Sequence, residues 1–183
     1  MARVRRKRKK IFQVVAPDIF DNAEVGYIIS SGDVVGRTLE VPLISLTGFP
    51  LHNYINCRLK IYRTEDNKAY TIYYGHQYFR EYIQALFIRG TSYVDIYRDI
   101  EVEDGVRYRV LAGVYTTKRI NTSRKKAIRR RVFKVLDKYN GRSNDEFLKA
   151  AIYGVIDAEI GSVARKIYPI RWVGIQKMKV VKL

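Results

Sequence analysis

Residues 54–75 read YINCRLKIYRTEDNKAYTIYYG, and the fold is decided by how this stretch is read. Ile55, Cys57, Leu59 and Ile61 alternate with Asn56, Arg58, Lys60 and Tyr62. A period of two is that of a β-strand with one buried face. Glu65-Asp66-Asn67-Lys68 supplies a turn, Ala69–Tyr74 reads as the return strand, and Gly75 is expected to end it. The centre of the molecule is therefore an antiparallel hairpin rather than a strand–helix–strand unit.

Toward the C-terminus the period changes. Phe79, Tyr82, Ile83, Leu86 and Phe87 recur at helical spacing, which predicts a helix over Tyr78–Ile88 with Gly90 just past its end. A second strand pair follows, Thr91–Glu103 and Val106–Thr116. Asp104-Gly105 between them favours a tight primed turn. Val94, Ile96, Ile100, Val102, Tyr108 and Val110 form its inner face. From Thr122 to Tyr139, Ile128, Val132, Val135, Leu136 and Tyr139 fall on one side of a helix. Asn121, Thr122 or Ser123 can cap its start, and Asn140-Gly141 ends it. A further helical stretch opens at Ser143-Asn144-Asp145 and runs to about Tyr168, with breaks to be expected at Gly154 or Gly161, until Pro169 stops it. Ile170–Val181 reads as a final strand of imperfect alternation.

Toward the N-terminus, Ala16-Pro17-Asp18 opens a turn, Val25–Ser30 is strand-like, and Ser31-Gly32-Asp33 turns again. Thr38–Leu43 reads as extended, with Pro42 placing it at an edge or a bulge. Strands and helices mix without a regular βαβ beat, so the expected class is α+β: a β-rich core, barrel-like or a mixed sheet, with packed helices. Residues 1–11 are expected to form a basic, disordered extension, and residues 12–183 one globular domain.

Composition narrows the function. The 183 residues carry 35 Lys+Arg against 18 Asp+Glu, a formal charge of +17. An excess of that size repels itself and favours a polyanionic partner. Cys57 is the single cysteine, which excludes an intramolecular disulfide, a zinc ribbon and an iron–sulfur site, and suits a reducing, intracellular compartment. Apolar runs fall short of a membrane span; Ala150–Ile156 is broken by Gly154 and followed by Asp157. The basic start lacks the apolar region of a secretory signal, and no Ser supports a transit peptide. No membrane partner is expected.

Catalytic motifs are missing. There is no phosphate-binding glycine loop ending in Lys-Ser/Thr, no dinucleotide fingerprint, no nucleophile elbow and no zinc-protease pair. His76, beside Gly75, can act as a base in principle, but a lone turn histidine is more often a structural hydrogen-bonding residue. Glu101, Glu103 and Asp104 are read as a solvated face or as partners of Arg107 and Arg109. The expectation is a protein without catalytic activity, cofactor or metal.

The distribution of cations says more than their number. Residues 1–10, MARVRRKRKK, hold Arg3, Arg5, Arg6, Lys7, Arg8, Lys9 and Lys10 and no acid. Such a block is read as an arm that orders on a polyanion. Lys118, Arg119, Arg124, Lys125, Lys126, Arg129, Arg130, Arg131 and Lys134 form a second acid-free zone. On a helical wheel Lys126, Arg130, Lys134 and Lys138 oppose the Ile128/Val132/Leu136 stripe. An ordinary solvated face interleaves acids to gain i,i+4 pairs; this one does not until Asp137, and it is read as phosphate-binding. After Glu159 there is again no acid, while Arg165, Lys166, Arg171, Lys177, Lys179 and Lys182 follow. Fifteen tyrosines include Tyr70, Tyr73, Tyr74 and Tyr78 near one strand end. Such rings stack on unpaired bases or straddle core and surface; the second reading is the ordinary one for any single tyrosine.

Four stretches together resemble a known family: Val35–Gly48 (VGRTLEVPLISLTG), Gly75–Asp95 (GHQYFREYIQALFIRGTSYVD), Asp104–Arg131 (DGVRYRVLAGVYTTKRINTSRKKAIRRR) and Ile167–Lys179 (IYPIRWVGIQKMK). Their order and spacing are similar to the archaeal and eukaryotic small-subunit ribosomal protein family S-three-a, or e-type S-one. The chain resembles its shorter, archaeal-type members. The resemblance implies a structural constituent of the small ribosomal subunit, cytoplasmic and not a homo-oligomer, that binds small-subunit rRNA on the platform. Neighbouring platform proteins, and mRNA near the exit channel, are the further partners it implies. By resemblance, Thr117-Lys118-Arg119 and the helix through Arg131 face rRNA, and Arg80 belongs to a Gly-His stretch leading into an Arg-containing helix. Gln77, Tyr78 and Phe79 depart from the more polar and aliphatic residues of that pattern. The alternative reading of the same charge is a basic RNA- or DNA-binding architectural protein outside the ribosome.

Overall fold

The computed structural model describes residues 9–182. Arg3, Arg5, Arg6, Lys7 and Arg8, and with them most of the expected arm, lie outside the described residues. The chain divides into two compact units between Tyr74 and Gly75.

The first unit is built on five strands: β1 (Lys10–Val15), β2 (Glu24–Ser30), β3 (Thr38–Pro42), β4 (Ile55–Glu65) and the first part of β5 (Lys68–Tyr78). Their order is β2-β1-β5-β4-β3. β1 runs parallel to β5, from Gln13 opposite Lys68 to Val15 opposite Tyr70; the β1/β2 and β3/β4 pairs are antiparallel. The decisive hairpin folds as its pattern predicts. Ile55, Cys57, Leu59 and Ile61 are buried, and Asp66 and Asn67 both take left-handed φ, a primed two-residue turn. Burial pushes the Cys57 thiol up to about 12, so it sits as a neutral apolar group. Val14, Val34, Ile61 and Ala69 form a core on which Phe12, Val25, Ile28 and Leu39 pack. β3 is an edge strand with Pro42 at its end, where no ladder donor is needed. A short helix, α1 (Leu43–Thr47), follows it and buries Leu43 and Leu46.

The second unit sets the end of β5 against β8 (Ile170–Lys182), β7 (Arg107–Thr116) and β6 (Tyr93–Glu101), all antiparallel. Between them come α2 (Arg80–Leu86), α3 (Thr122–Asp137), α4 (Asn144–Ile152) and α5 (Val155–Arg165). α3 packs on β6 and on α5, and α5 packs on β8 and α4. Ile128, Val132, Val135, Leu136, Ile156 and Ile160 are buried between helices and sheet. Fully burying each such side chain stabilises by about 1.5–3 kcal/mol. The architecture is α+β with a mixed sheet; of the two core arrangements expected, it is the open sheet and not a barrel.

Several local expectations are corrected. Gly75 does not end β5: the strand continues to Tyr78, and Gly75 pairs with Lys179. A Cβ at Gly75, where φ is +147°, would stand 2.3 Å from the Met178 carbonyl oxygen, so the glycine permits the close approach of β8. The helix expected over Tyr78–Ile88 is only Arg80–Leu86, because Tyr78 and Phe79 still belong to or adjoin the strand. It buries no residue fully, and Phe87 and Ile88 are exposed. The Asp104-Gly105 turn is not a two-residue primed turn. Val102 donates to the Val106 carbonyl across Glu103, Asp104 and Gly105, and only Gly105 takes positive φ. The last helical stretch breaks at Gly154, which is left-handed, and not at Gly161, which lies inside α5. The imperfect alternation of β8 is a bulge: Leu111 faces Lys177 and Ala112 faces Ile175, leaving Gln176 extra. That extra residue is buried and satisfied at both ends. Its amide donates to Tyr115 Oη at 2.8 Å, and its oxygen accepts from Tyr93 Oη at 2.9 Å.

Asp157, on the first turn of α5, holds the same bulge by accepting the Ile175 amide at 2.9 Å. Burial pushes its carboxyl up to about 7, against the lowering effect of that bond. A carboxyl whose pKa is raised on folding favours the folded state below its unfolded value near 4. That contribution is lost as pH rises through about 7. Stability should fall between pH 4 and 7 from this group, by on the order of a few kcal/mol. D157N keeps the acceptor and should flatten that slope and unfold at higher temperature than the parent at pH 8, measured by thermal melts across pH. G75A should destabilise by about 2 kcal/mol or more in urea titration.

Candidate nucleic-acid interface

α3 is the element that organises the cations. Its apolar stripe, Ile128, Val132, Val135 and Leu136, is buried, and Tyr139 beyond its end is buried with it. Two ion pairs tie it to β6. Near its middle, Arg129 pairs with the Asp95 carboxylate and donates from Nε to the Asp95 carbonyl at 3.0 Å. At its end Asp137 accepts from Arg98 at 2.7 Å, and the Arg98 guanidinium lies over the Phe133 ring. The helix is therefore fixed in rotation by its stripe and by charge pairs at its flanks.

Lys126, Arg130, Arg131, Lys134 and Lys138 then project outward and are exposed, and Lys125 is half-buried. Lys118 and Arg119, in the connection from β7, are exposed. Backbone contacts bring this connection to the start of β8: Thr116 pairs with Ile170, and Thr117 donates to the Pro169 carbonyl. Arg124 lies over the Tyr168 ring at 5.4 Å. One corner thus gathers Lys118, Arg119 and Arg124 with the chain that runs from Arg165 and Lys166 to Arg171. The start of α3 lies in this corner with no acid in its first turn and no side-chain cap on its amides. A helix N-terminus of that kind adds positive potential to the cations around it.

The acids have gone elsewhere. All six ion pairs among the described residues use an arginine, five of them on strands: Arg58, Arg63, Arg98, Arg107 and Arg109, with Arg129 the sixth. Asp99 takes Arg109 in a two-pronged bond, and Glu101 takes Arg107 at 2.7 Å. These arginine hydrogen bonds hold both carboxyls below the usual range. Glu101 is the Arg107 partner expected from the sequence, whereas the partner of Arg109 is Asp99, directly opposite it in the β6/β7 ladder. Lys118, Arg119, Arg124, Lys125, Lys126, Arg130, Arg131 and Lys134 have no acidic partner among the described residues.

Of the other sites read from sequence, Arg80 is the first residue of α2 and is exposed. Arg171 is exposed and donates to the Leu86 carbonyl at the end of α2. Lys9 and Lys10 are exposed in the first unit, and Lys10 opens β1 opposite Ser30. His76 is buried in β5. Among the described residues no three His, Cys, Asp or Glu side chains converge as metal ligands. No described helix is long and apolar enough to cross a membrane. Sequence reasoning missed Tyr168 as the ring under Arg124 and Arg98 as the partner of Asp137. Both depend on which turn of α3 meets the rest of the unit. Of the departures from the family pattern, Tyr78 finds a place: it is buried and packs edge-on against Trp172 and Tyr82.

Comparison with known proteins bears on this geometry. Residues 3–183 match the model of the ribosomal S3Ae family. Similar chains include three archaeal proteins named small ribosomal subunit protein eS1. That of Methanopyrus kandleri is 35% identical, covering 100% of this chain and 90% of the relative. That of Archaeoglobus fulgidus is 36% identical over 94% of this chain and 84% of the relative. That of Sulfolobus acidocaldarius is 36% identical over 96% and 91%. With a family match along almost its whole length, and with the α+β architecture and the acid-free helix face already described, this chain belongs to the ribosomal S3Ae family.

Proposed function

We propose that the chain is a structural constituent of the small ribosomal subunit, and that it binds small-subunit rRNA through the outer face of α3 and the adjoining corner. The observation that carries this reading is the separation of charge. Acids neutralise strand arginines, while the outward cations of α3 keep no acidic partner among the described residues. A face like that is self-repelling in the free protein and neutralised on a phosphate backbone. A rigid helix holds the cations at fixed spacing, which suits the regular phosphates and shape-based recognition of A-form RNA. Arginines supply forked donors to phosphate, and lysines supply point charges. The curated relatives' name supports the ribosomal assignment.

In the finer reading the chain resides on the platform, near the mRNA exit side, beside other platform proteins and in the cytoplasm. The basic residues of 3–8 and Lys9 bind rRNA as a basic extension, and Lys10, at the start of β1, adds a phosphate contact beside them. Arg80 and Arg171 are secondary phosphate contacts.

Two predictions follow from the different surroundings of the α3 arginines. R130E/R131E/K134E should leave thermal unfolding unchanged and move the tagged chain from the small-subunit peak to the top of a sucrose gradient. A variant that still co-sediments with the subunit at raised salt would refute the proposal. Each phosphate contact removed should also lower the salt slope of rRNA binding by about 1. R129A should behave differently, losing about 1 kcal/mol of stability because Arg129 anchors α3 to Asp95.

A further inference from the structure

The first unit carries a cavity that the α3 reading leaves unused. It measures about 590 Å³, within the size range of small-ligand sites. Its floor is the outer face of β1, β5 and β4, where Val15, Tyr70, Ile72 and Tyr62 line it. The turn that follows β1 and the first residue of β2 form one wall, with Asp18 and Glu24 lining it. That wall is braced: Ala16 donates to the Ala23 carbonyl, Phe20 donates to the Pro17 carbonyl, and Thr71 Oγ1 donates to the Val15 carbonyl at 2.8 Å.

The aromatic and basic groups here are arranged together. The Arg63 guanidinium lies 4.9 Å from the Tyr70 ring centroid and 5.8 Å from that of Tyr62. Arg63 makes one ion pair, 3.3 Å to Glu65, with both side chains about half exposed. Such a pair is weakly held and readily exchanged for another anion. Lys68 stands beside Gln13 across the parallel β1/β5 pairing. Tyr62 is 49% exposed. By contrast Tyr73 and Tyr78 of the same strand are buried. Tyr70 and Tyr73 have opposite parity on the strand, while Tyr78, of the same parity as Tyr70, is buried beyond Gly75, where the buried parity changes.

We infer that this cavity receives an unpaired RNA nucleotide, its base stacked on the Tyr62/Arg63/Tyr70 shelf and its phosphate on Arg63 and Lys68. Flat rings and a guanidinium plane are the surfaces on which splayed bases stack. The two carboxylates on the wall select among bases. Asp18 and Glu24 can accept from an exocyclic amino group, and the Gln13 amide can donate or accept at the base edge. Uracil has no exocyclic amine, so the site favours cytosine, adenine or guanine over uracil. The inference shares with the α3 proposal only that the chain binds RNA; its residues and its readout are separate.

The test is binding of end-labelled oligocytidylate, oligoadenylate and oligouridylate to the full chain, by fluorescence anisotropy. It is run on the parent and on the R130E/R131E/K134E background, which removes the backbone attraction of α3. Y62A should weaken oligocytidylate or oligoadenylate binding by about tenfold, the size expected of one stacked base. Y62W, which keeps a stacking ring, should restore it. Oligouridylate should bind about tenfold less tightly than oligocytidylate, in line with the loss of one base-edge contact. Equal binding of the three RNAs, no effect of Y62A, or a loss that Y62W does not restore would overturn the inference. If Y62A has no effect while R130E/R131E/K134E still abolishes subunit association, the cavity reading alone fails. If the α3 variant still associates and Y62A weakens oligonucleotide binding, the α3 proposal alone fails.

Discussion

The pairing of β8 along β7 is the interaction on which the second unit rests. It runs from Lys182 opposite Arg107 to Ile170 opposite Thr116, and β8 takes the end of β5 on its other side. α5 lies on this strand and α3 lies on α5, so the position of the cationic helix is inherited from the ladder beneath it. The ladder has tight requirements. Side chains are excluded at Gly75 by the Met178 carbonyl and at Gly113 by the Gln176 side chain. The bulge at Gln176 is held by three hydrogen bonds: Gln176 accepts from Tyr93 and donates to Tyr115, and the Ile175 amide donates to the Asp157 carboxyl. Buried polar groups satisfied in this way specify one register rather than several.

Electrostatics follows the same division of labour. Strand arginines meet acids directly across a ladder, as with Asp99 and Arg109, where both partners are already ordered by the sheet. Little side-chain entropy is then left to lose, and two-pronged geometry is available. On α3 the one acid, Asp137, is turned to Arg98, so the outer surface carries one sign of charge. The free protein tolerates this because its outward cations are spread along a solvated helix; concentrated phosphate then has an ordered surface to meet.

Much of this was legible in the residues. Alternation at Ile55–Ile61 and helical spacing at Ile128–Leu136 report burial directly, since each period matches one geometry. The charge of α3's outer face was legible for the same reason: once the stripe is placed, the opposite positions are known. What escaped depends on contacts distant in sequence. Gly75 reads as a terminator because strands end at glycine; only the approach of Met178 explains a glycine inside one. The bulge in β8 disguised a strand as a poor one, and Asp104-Gly105 was given one residue too few because Glu103 joins the loop, its amide donating to the Arg142 carbonyl. Alternation alone does not sort the tyrosines of β5 into core and surface, because the buried parity changes at Gly75: Tyr73 is buried before it and Tyr78, of the opposite parity, after it.

The long separation between β7 and β8 has a consequence for biosynthesis. The hairpin of β6 and β7 is complete when Thr116 has been made, but its partner begins only at Ile170. During elongation β7 therefore presents a bare edge while α3, α4 and α5 are being added, and pairing at such sequence distance is slow to form. An exposed edge is a template for association with other chains. The basic stretch that emerges directly after it, beginning with Lys118 and Arg119, supplies like charge between nascent copies. The same excess of cations that suits a polyanion also guards the half-made sheet until its closing strand arrives.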